Sequence, residues 1–119
     1  MALRPRAVLD TNAILYLLGG RLTRPLPPRF YFASVITEME LLSYPSLDTT
    51  AERQIRGFLS EITVVGLTDS VKTTAIIIRR QDGLKLPDAI VVGTAVVLDA
   101  DLLTNDAHLS KWGKRLEIK

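Results

Sequence analysis

Acidic side chains stand at four places in the chain where a parallel sheet would gather them at one edge. Asp10 follows a short apolar run, and Asp106 follows another such run near the C terminus. Glu40 and Asp88 stand near the starts of two apolar segments with helical character. In open α/β sheets the carboxyl ends of the strands and the starts of the following helices share one edge, where ligands bind. The sequence therefore predicts that these four carboxylates form one cluster.

Four carboxylates in one place repel one another, so the cluster predicts either bound protons or a cation. Two like charges about 4 Å apart repel by roughly 4 kcal/mol at an effective dielectric near 20. Oxygen-only sites without histidine or cysteine suit Mg²⁺ or Mn²⁺, and such ions favour phosphoryl transfer and phosphodiester hydrolysis. This chemistry needs no side-chain nucleophile, which fits a chain with no cysteine and a single histidine, His108, interpreted as a surface residue.

Each acid also has a structural interpretation that requires no functional site. Asp10 or Asn12 could simply cap the helix that follows, because Asp and Asn are favoured N-cap residues. Asp88 could be a first-turn acid that interacts with the helix dipole and contributes about a few tenths of a kcal/mol. For any single acid, such a structural role is a strong alternative to a functional one. Four acids at one edge of the predicted sheet favour a functional site instead.

The elements that would position these acids alternate in type along the chain. Strands are predicted at residues 7–9, 30–33, 61–67, 101–104 and, as an edge strand, 116–118. Helices are predicted at residues 12–18, 34–43, from 48 or 49, from 69 or 70 to 81, from 86, and around 109. This order predicts an α/β fold, a mostly parallel four- to five-stranded sheet with helices on both faces.

Two segments are less regular. The segment after Leu86 is rich in β-branched residues, which favours a strand, but its length and Pro87 in the first turn favour a buried helix. Residues 21–29 contain three prolines and three arginines, which predicts an extended basic loop. That loop is either solvated or a lip that contacts RNA, and we favour the solvated loop.

Bulk properties narrow the class of protein. The chain has 119 residues, of which 47% are hydrophobic and 24% charged, so we expect a single domain over residues 1–119. The absence of cysteine excludes disulfides, thiolate catalysis and cysteine-based zinc sites. The start of the chain lacks the apolar core of a signal peptide. Residues 89–98 are the longest strongly apolar stretch, shorter than the roughly 20 residues of a membrane span, so we expect a cytoplasmic protein.

Four stretches of the chain carry a resemblance to a known family. They are Val8-Leu9-Asp10-Thr11-Asn12, Ser34-Val35-Ile36-Thr37-Glu38-Met39-Glu40-Leu41, Leu86-Pro87-Asp88-Ala89-Ile90 and Leu103-Thr104-Asn105-Asp106. In this order they resemble the PIN-domain nucleases, and the chain looks most like the compact VapC-type toxins of bacterial toxin–antitoxin pairs. The resemblance covers nearly the whole chain. It implies a Mg²⁺- or Mn²⁺-dependent endoribonuclease that forms a homodimer and is inhibited by a small antitoxin protein filling the acidic groove.

The resemblance also implies a role for each acid. Asp10, Glu40, Asp88 and Asp106 match the catalytic acids of the family. Asp10 and Asp88 would be the main metal ligands, directly or through water. Glu40 and Asp106 would complete the cluster and orient the attacking water.

Other positions of the same stretches support the resemblance or depart from it. Asn12 and Thr104 match supporting polar positions that could hold a water or a phosphate. Glu38 shares a stretch with Glu40, but the spacing favours Glu40 as the site residue and Glu38 as a partner of the helix dipole. Gly93 stands where the family usually has Ala, which costs about 1 kcal/mol of helix propensity unless close packing needs the space.

Two other functions remain open at this point. A non-catalytic domain could keep the fold in order to bind RNA or a partner protein, although such a domain has no reason to retain so costly a cluster of acids. An aspartyl-phosphate phosphatase would use Asp10 as its nucleophile, but those enzymes resemble Asp-x-Asp at this point, and Asn12 stands at the second position. The sequence names neither the RNA target nor the antitoxin.

Overall fold

The computed structural model describes residues 5–119, and these form a five-stranded parallel sheet with helices on both faces. The strands are β1 (Arg6–Leu9), β2 (Phe30–Ser34), β3 (Thr63–Val65), β4 (Asp101–Thr104) and β5 (Gly113–Arg115). The helices are α1 (Thr11–Leu18), α2 (Val35–Leu42), α3 (Thr49–Ser60), α4 (Asp69–Asp82) and α5 (Leu86–Val97). A 3-10 helix, Ala107–Trp112, precedes β5. The predicted α/β fold class is confirmed; the start of the chain, residues 1–4, lies outside the described residues.

Strand β1 is the centre of the sheet, whose order is β3-β2-β1-β4-β5 with every neighbouring pair parallel. The chain runs outward from β1 to β2 and β3, and then returns to the other side of β1 as β4 and β5. The direction of winding therefore reverses between β1 and β4, which is where doubly wound sheets bind ligands. Asp10 directly follows β1 and Thr104 ends β4, so both stand at this reversal point.

The core consists of two apolar layers, one on each face of the sheet. Ala7 and Leu9 of β1 pack in the layer that contains α1 and α3, whereas Val8 packs in the layer that contains α5. Because β1 is buried on both faces, it is apolar throughout rather than alternating. All residues of α5 from 89 to 95 are buried, so the helical interpretation of this segment is confirmed.

Within residues 5–119, no helix combines the length and the apolar character that crossing a membrane requires.

Gly93 allows α5 to pack closely against α4. A Cβ atom at this position would lie 3.2 Å from the backbone nitrogen of Ala75 and 3.4 Å from its Cβ. The first of these distances is shorter than an ordinary van der Waals contact. Close packing therefore offsets the helix-propensity cost of this glycine, as the sequence suggested.

The prediction of the last strand is wrong. β5 comprises Gly113–Arg115 rather than residues 116–118, and Ile118 instead forms an isolated antiparallel bridge with Leu22. The alternating apolar residues near the C terminus suggested a strand, whereas β5 has a glycine and two basic residues with low strand propensity. A Cβ at Gly113 would lie 2.0 Å from the carbonyl oxygen of Leu102, so close backbone contact with β4 defines this strand. The predicted third strand, residues 61–67, is shorter than expected.

Candidate active site

The four predicted acids line one cavity of about 180 Å³ at the carboxyl edge of the sheet, which we call the acidic cavity. Its lining residues are Asp10, Thr11, Asn12, Glu40, Tyr44, Asp88, Val91, Asp106 and Leu109. The acids come from four elements: the end of β1, the helix α2, the first turn of α5 and the turn after β4. The predicted clustering is therefore present, while the catalytic roles of these residues stay a prediction.

Asp10 is held at both carboxylate oxygens. Its Oδ1 accepts a hydrogen bond from the backbone N–H of Ala13 at 2.8 Å, and its Oδ2 accepts one from the hydroxyl of Thr104. The first bond caps α1, so Asp10 is a helix cap and a cavity residue at once. The side chain is almost buried, and each oxygen retains a further lone pair. Asp10 is therefore a fixed carboxylate that can still accept another partner.

Thr104 connects Asp10 with the turn that carries Asp106. Its hydroxyl donates to Asp10 and accepts a hydrogen bond from the backbone N–H of Asp106 at 3.0 Å. Thr104 is fully buried, where an unmade hydrogen bond is costly. This predicted supporting residue thus fixes the position of one acid relative to another.

Glu40 is exposed and is held by Thr11. The Thr11 hydroxyl donates to Oε1 of Glu40 at 2.7 Å and lies 3.4 Å from the hydroxyl of Thr37. Glu38 does not line the acidic cavity; it lines a separate groove beside α3 and stands in the first turn of α2. Of the two, Glu40 is therefore the one that lines the acidic cavity, and its role as a site residue stays a prediction.

Asp106 caps the 3-10 helix that follows it. Its Oδ1 accepts a hydrogen bond from the backbone N–H of His108 at 2.8 Å, and Nδ1 of His108 lies 3.2 Å from the same oxygen. The His108 ring is exposed, as predicted. Asp106 is thus oriented by backbone contacts and remains accessible at the mouth of the cavity.

Asp88 is the least restrained of the four acids. It is half-buried in the first turn of α5, and no residue between 5 and 119 donates a hydrogen bond to its carboxylate. Asn12, the other predicted supporting residue, lines the same cavity and is exposed. Asp88 can therefore change rotamer without breaking a hydrogen bond to the described residues.

The pKa of Asp10 is raised above its ordinary value. Burial is the largest cause, and the charges of Asp106 and Asp88 raise this pKa further. Hydrogen bonds from Thr104 and Ala13 act in the opposite direction, because they stabilise the charged form. Together these effects make the charged form of Asp10 less favourable than that of an isolated Asp. A proton on this carboxylate, or a cation beside it, is favoured as a result.

The pKa of Asp88 is raised for related reasons. Burial again contributes most, followed by the charges of Asp106 and Glu40, while Lys85 lowers the pKa. The charges of neighbouring acids therefore raise the pKa of both Asp10 and Asp88. A cation bound among them would relieve this repulsion.

The donor atoms suit a hard divalent cation in their chemistry, since all are oxygens. Their present arrangement is not that of a formed site: across residues 5–119, no three acidic or histidine side chains are placed so that they could hold one ion. Asp10 is fixed, whereas Asp88 makes no such hydrogen bond and Glu40 is exposed. The residues therefore fit Mg²⁺ or Mn²⁺ only if the other acids rotate toward Asp10.

Two polar residues of the acidic cavity, Thr11 and Tyr44, were not predicted as site residues. Thr11 stands between Asp10 and Asn12, and its contact with Glu40 depends on the packing of α1 beside α2. Tyr44 follows the helix predicted over residues 34–43, and its half-exposed ring lines the cavity. Because Tyr44 lies beyond the end of α2, helical periodicity gave no signal that could have identified it.

Solved structures share this fold. A chain of the toxin–antitoxin complex from Klebsiella pneumoniae is 28% identical, covers 84% of this chain and 86% of its own, and superposes with a TM-score of 0.72. A chain of VapBC2 from Rickettsia felis, bound to a DNA fragment from its promoter, is 17% identical and superposes with a TM-score of 0.76. The match covers 94% of this chain and 99% of that one. A chain of DNA-bound VapBC from Salmonella typhimurium is 19% identical, covers 94% and 97%, and gives 0.73.

The structural likeness to the chains that are 17% and 19% identical establishes the fold alone. No curated protein sequence matches the chain. The sequence model of the PIN domain matches residues 7–114. These residues extend from β1 into β5 and include every acid of the acidic cavity. The chain therefore belongs to the PIN domain family.

Proposed function

We propose that this protein is a metal-dependent endoribonuclease, and that it is the toxin of a toxin–antitoxin pair. The observation that carries the proposal is the acidic cavity, where four carboxylates from four elements meet at the reversal point of a PIN-domain sheet. Residues 1–119 would act as a single nuclease domain. The raised pKa values of Asp10 and Asp88 support a cation as the missing counter-charge.

Asp10 and Asp88 would hold a Mg²⁺ or Mn²⁺ ion, Asp10 as the fixed ligand and Asp88 as the one that rotates. Such an ion, when bound, lowers the pKa of a water molecule and stabilises the leaving oxygen. Glu40, held by Thr11, and Asp106 would orient the attacking water. The water oxygen bonds to phosphorus, the bond from phosphorus to a ribose oxygen breaks, and a carboxylate takes the proton of the water.

The supporting residues would act on the orientation of these groups. Thr104 keeps Asp10 in one rotamer through its hydroxyl. The exposed amide of Asn12 would bind a water or a phosphate oxygen at the mouth of the cavity. Because the cavity is small and open to solvent, it suits a phosphodiester on an extended strand better than an enclosed small molecule.

We propose two protein partners. The solved structures that match are described as toxin–antitoxin and VapBC complexes, which supports an antitoxin partner. We propose that this partner is a small protein and that it covers the acidic cavity. A homodimer would bury the exposed apolar residues of α4 and α5, which include Ile76, Ile77, Val96 and Val97. Apolar side chains exposed together on one pair of helices favour such an interface.

The test is cleavage of labelled single-stranded RNA by the purified full chain with Mg²⁺, with Mn²⁺ and with EDTA. We expect cleavage with either metal, none with EDTA, and none in Asp10→Asn or Asp88→Asn proteins. Asp69→Asn is the matched control, because Asp69 also stands in the first turn of a helix but is far more exposed. If the protein cuts no RNA with either metal, or the two site variants cut as well as the control, the proposal is wrong.

A second candidate function, a non-catalytic PIN-fold module that binds RNA or protein, is favoured by one observation. The acids of the described residues are not arranged as a formed metal site. Thermal melting with and without Mn²⁺ separates the two functions. Binding to the folded state alone stabilises by about 2.7 kcal/mol at 100 times the dissociation constant. An upward shift that disappears in Asp10→Asn supports the nuclease, and no shift supports the binding module.

A further inference from the structure

A second cavity, of about 310 Å³, lies beside the edge strand β5, and we call it the β5 cavity. Its lining residues are Leu22, Thr23, Arg24, Pro25, Pro27, Arg29, Leu103, Lys114, Arg115, Leu116 and Glu117. One wall is the proline-rich loop after α1 and the other is the chain from β5 onward. The bridge between Leu22 and Ile118 joins these walls, and the backbone N–H of Thr23 donates to the carbonyl of Glu117 at 3.2 Å.

The β5 cavity is basic. Four cationic residues and one acid line it, and the acid, Glu117, accepts a hydrogen bond from the hydroxyl of Thr23 at 3.2 Å. Arg24, Lys114 and Arg115 form no ion pair with an acid among residues 5–119. Three cations on the two walls that form no ion pair, against one acid, make this space attractive to an anion.

Arg29 gives the cavity a buried donor. Its side chain is only 3% exposed, and Nη1 donates to Asp101 at 2.7 Å. Its Nε is buried and has no acceptor within the described part of the chain. The prediction of a wholly solvated basic loop is therefore wrong for Arg29. A buried donor without a partner costs about 1–3 kcal/mol, so a water or a ligand acceptor that reaches this nitrogen from the cavity would stabilise the folded chain.

The walls are also apolar and stiff. Leu22, Leu116 and the buried Leu103 contribute aliphatic surface, and Pro25 and Pro27 lie among the cations. The proline rings fix the backbone of the loop, which lowers the entropy cost of binding. A ligand that fits this cavity has a negatively charged group for the cations and a flat apolar group for the proline and leucine side chains. The volume is that of a small-molecule site.

We propose that the β5 cavity binds a nucleotide, with its phosphate at the cations and its base against the proline and leucine side chains. Arg115 is the register partner of Thr104, and neighbouring strands lie roughly 5 Å apart. Thr104 in turn donates to Asp10 of the acidic cavity. If the chain is a ribonuclease as proposed above, the nucleotide is a unit of the RNA substrate beside the cut, but the site does not depend on that function.

The first test measures RNA binding by the full chain in EDTA, where metal-dependent cleavage cannot interfere. Anisotropy of a fluorescein-labelled single-stranded RNA octamer is followed at several salt concentrations for Arg24→Gln/Arg115→Gln and for the control Arg53→Gln/Arg80→Gln. The control removes the same charge from α3 and α4. Loss of two phosphate contacts predicts a dissociation constant roughly 10- to 30-fold higher near 0.1 M salt and a log–log salt slope smaller by about 1.4. The control should stay within about twofold of the unaltered protein.

The second test observes the buried Nε–H group of Arg29 directly. The ¹⁵N–¹H resonance of Arg29 Nε is followed while adenosine 5′-monophosphate or the RNA octamer is added to unaltered protein. A shift with the mononucleotide identifies a site for free nucleotides, and a shift with the octamer alone identifies a subsite for a strand. If neither ligand moves this resonance and the double variant binds RNA as the control does, the β5 cavity is not a nucleotide site.

Parallel cleavage assays keep the two proposals separate. Loss of RNA binding in Arg24→Gln/Arg115→Gln, with no cleavage by unaltered protein, supports the nucleotide site and contradicts the ribonuclease. Metal-dependent cleavage by unaltered protein, with unchanged binding and KM in the double variant, contradicts the nucleotide site alone.

Discussion

The acidic cavity and the β5 cavity carry opposite charges and hold them in different ways. In the acidic cavity the best-held acid, Asp10, has partners on both oxygens, and the repulsion that remains comes from its neighbours. In the β5 cavity the most buried cation, Arg29, lacks a partner at one nitrogen, and the other cations lie exposed on the walls. Under the two proposals above, a cation completes the first arrangement and an anion completes the second. The comparison predicts that each cavity responds to a different kind of perturbation.

The largest expected effect concerns the acidic cavity. Asp10→Asn removes the charge of the carboxylate proposed as the fixed metal ligand, while an amide oxygen can still cap α1. Loss of several kcal/mol of transition-state stabilisation lowers kcat by roughly 100-fold or more. Single-turnover RNA cleavage measures this effect, and circular dichroism checks that the helices remain. Cleavage within about threefold of unaltered protein would separate Asp10 from the chemistry.

Gly113→Ala should damage the wall of the β5 cavity. The new Cβ would lie 2.0 Å from the carbonyl oxygen of Leu102, so β5 must move away from β4. Overpacking of this kind costs about 1–3 kcal/mol, measured as a lower denaturant midpoint. Gly57→Ala is the control, because a Cβ there meets nothing within 4 Å and alanine favours the interior of a helix. Equal stability of the two variants would mean that β5 can shift without cost.

Thr104→Val tests whether the Thr104 hydroxyl orients Asp10. The substitution removes the hydroxyl that donates to Asp10 and accepts from the backbone of Asp106. Mutation of groups that orient metal ligands costs roughly 10- to 100-fold in metal affinity or activity. Thr104→Ser keeps the hydroxyl and should retain most of the metal affinity and most of the activity. If Thr104→Val and Thr104→Ser bind Mn²⁺ equally, as measured by calorimetry, the hydroxyl does not orient Asp10.

The smallest expected effect is a dependence of stability on pH. The native pKa values of Asp10 and Asp88 are raised, burial being the largest cause, while an unfolded Asp titrates near roughly 3.9. Between these values the native state binds more protons, so the free energy of unfolding falls as pH rises through that window. The penalty is absent below the unfolded pKa and complete above the native one.

Asp88→Asn should therefore stabilise the metal-free protein near neutral pH, by about a few tenths of a kcal/mol because the carboxylate is partly solvated. Urea titrations at pH 4 and pH 7 measure the difference. Saturating Mn²⁺ should reverse the order of stability at pH 7. A variant that is less stable than unaltered metal-free protein at pH 7 would contradict the repulsion between the acids.

The two cavities also differ in how much of them could be predicted. The acids of the acidic cavity stand at strand ends and helix starts, where topology alone brings them together, so Asp10 and Asp88 were identifiable from the order of elements. Tyr44 was missed because its ring reaches the cavity from beyond the end of α2. Periodicity describes elements and gives no information on where a side chain outside them points.

The β5 cavity depends on contacts between distant residues and was therefore not predictable. Arg24 and Arg115 are far apart in sequence but line the same cavity. The bridge between Leu22 and Ile118 brings their two segments together. The burial of Arg29 depends on Asp101, which begins a strand that follows much later in the chain. The misplaced last strand has a similar cause, because the backbone approach of Gly113 to β4 leaves no hydrophobic pattern. Such features require the tertiary structure.

The shared use of Asp10 as helix cap and cavity carboxylate turns the amide hydrogen of Ala13 into a natural reporter. This hydrogen is donated to Oδ1 of Asp10, so anything that draws charge from the carboxylate weakens the bond. A cation that binds should change the exchange rate and the chemical shift of this one amide while the rest of α1 stays unchanged. Occupancy of the acidic cavity could then be followed at a single amide, without waiting for any RNA to be cut.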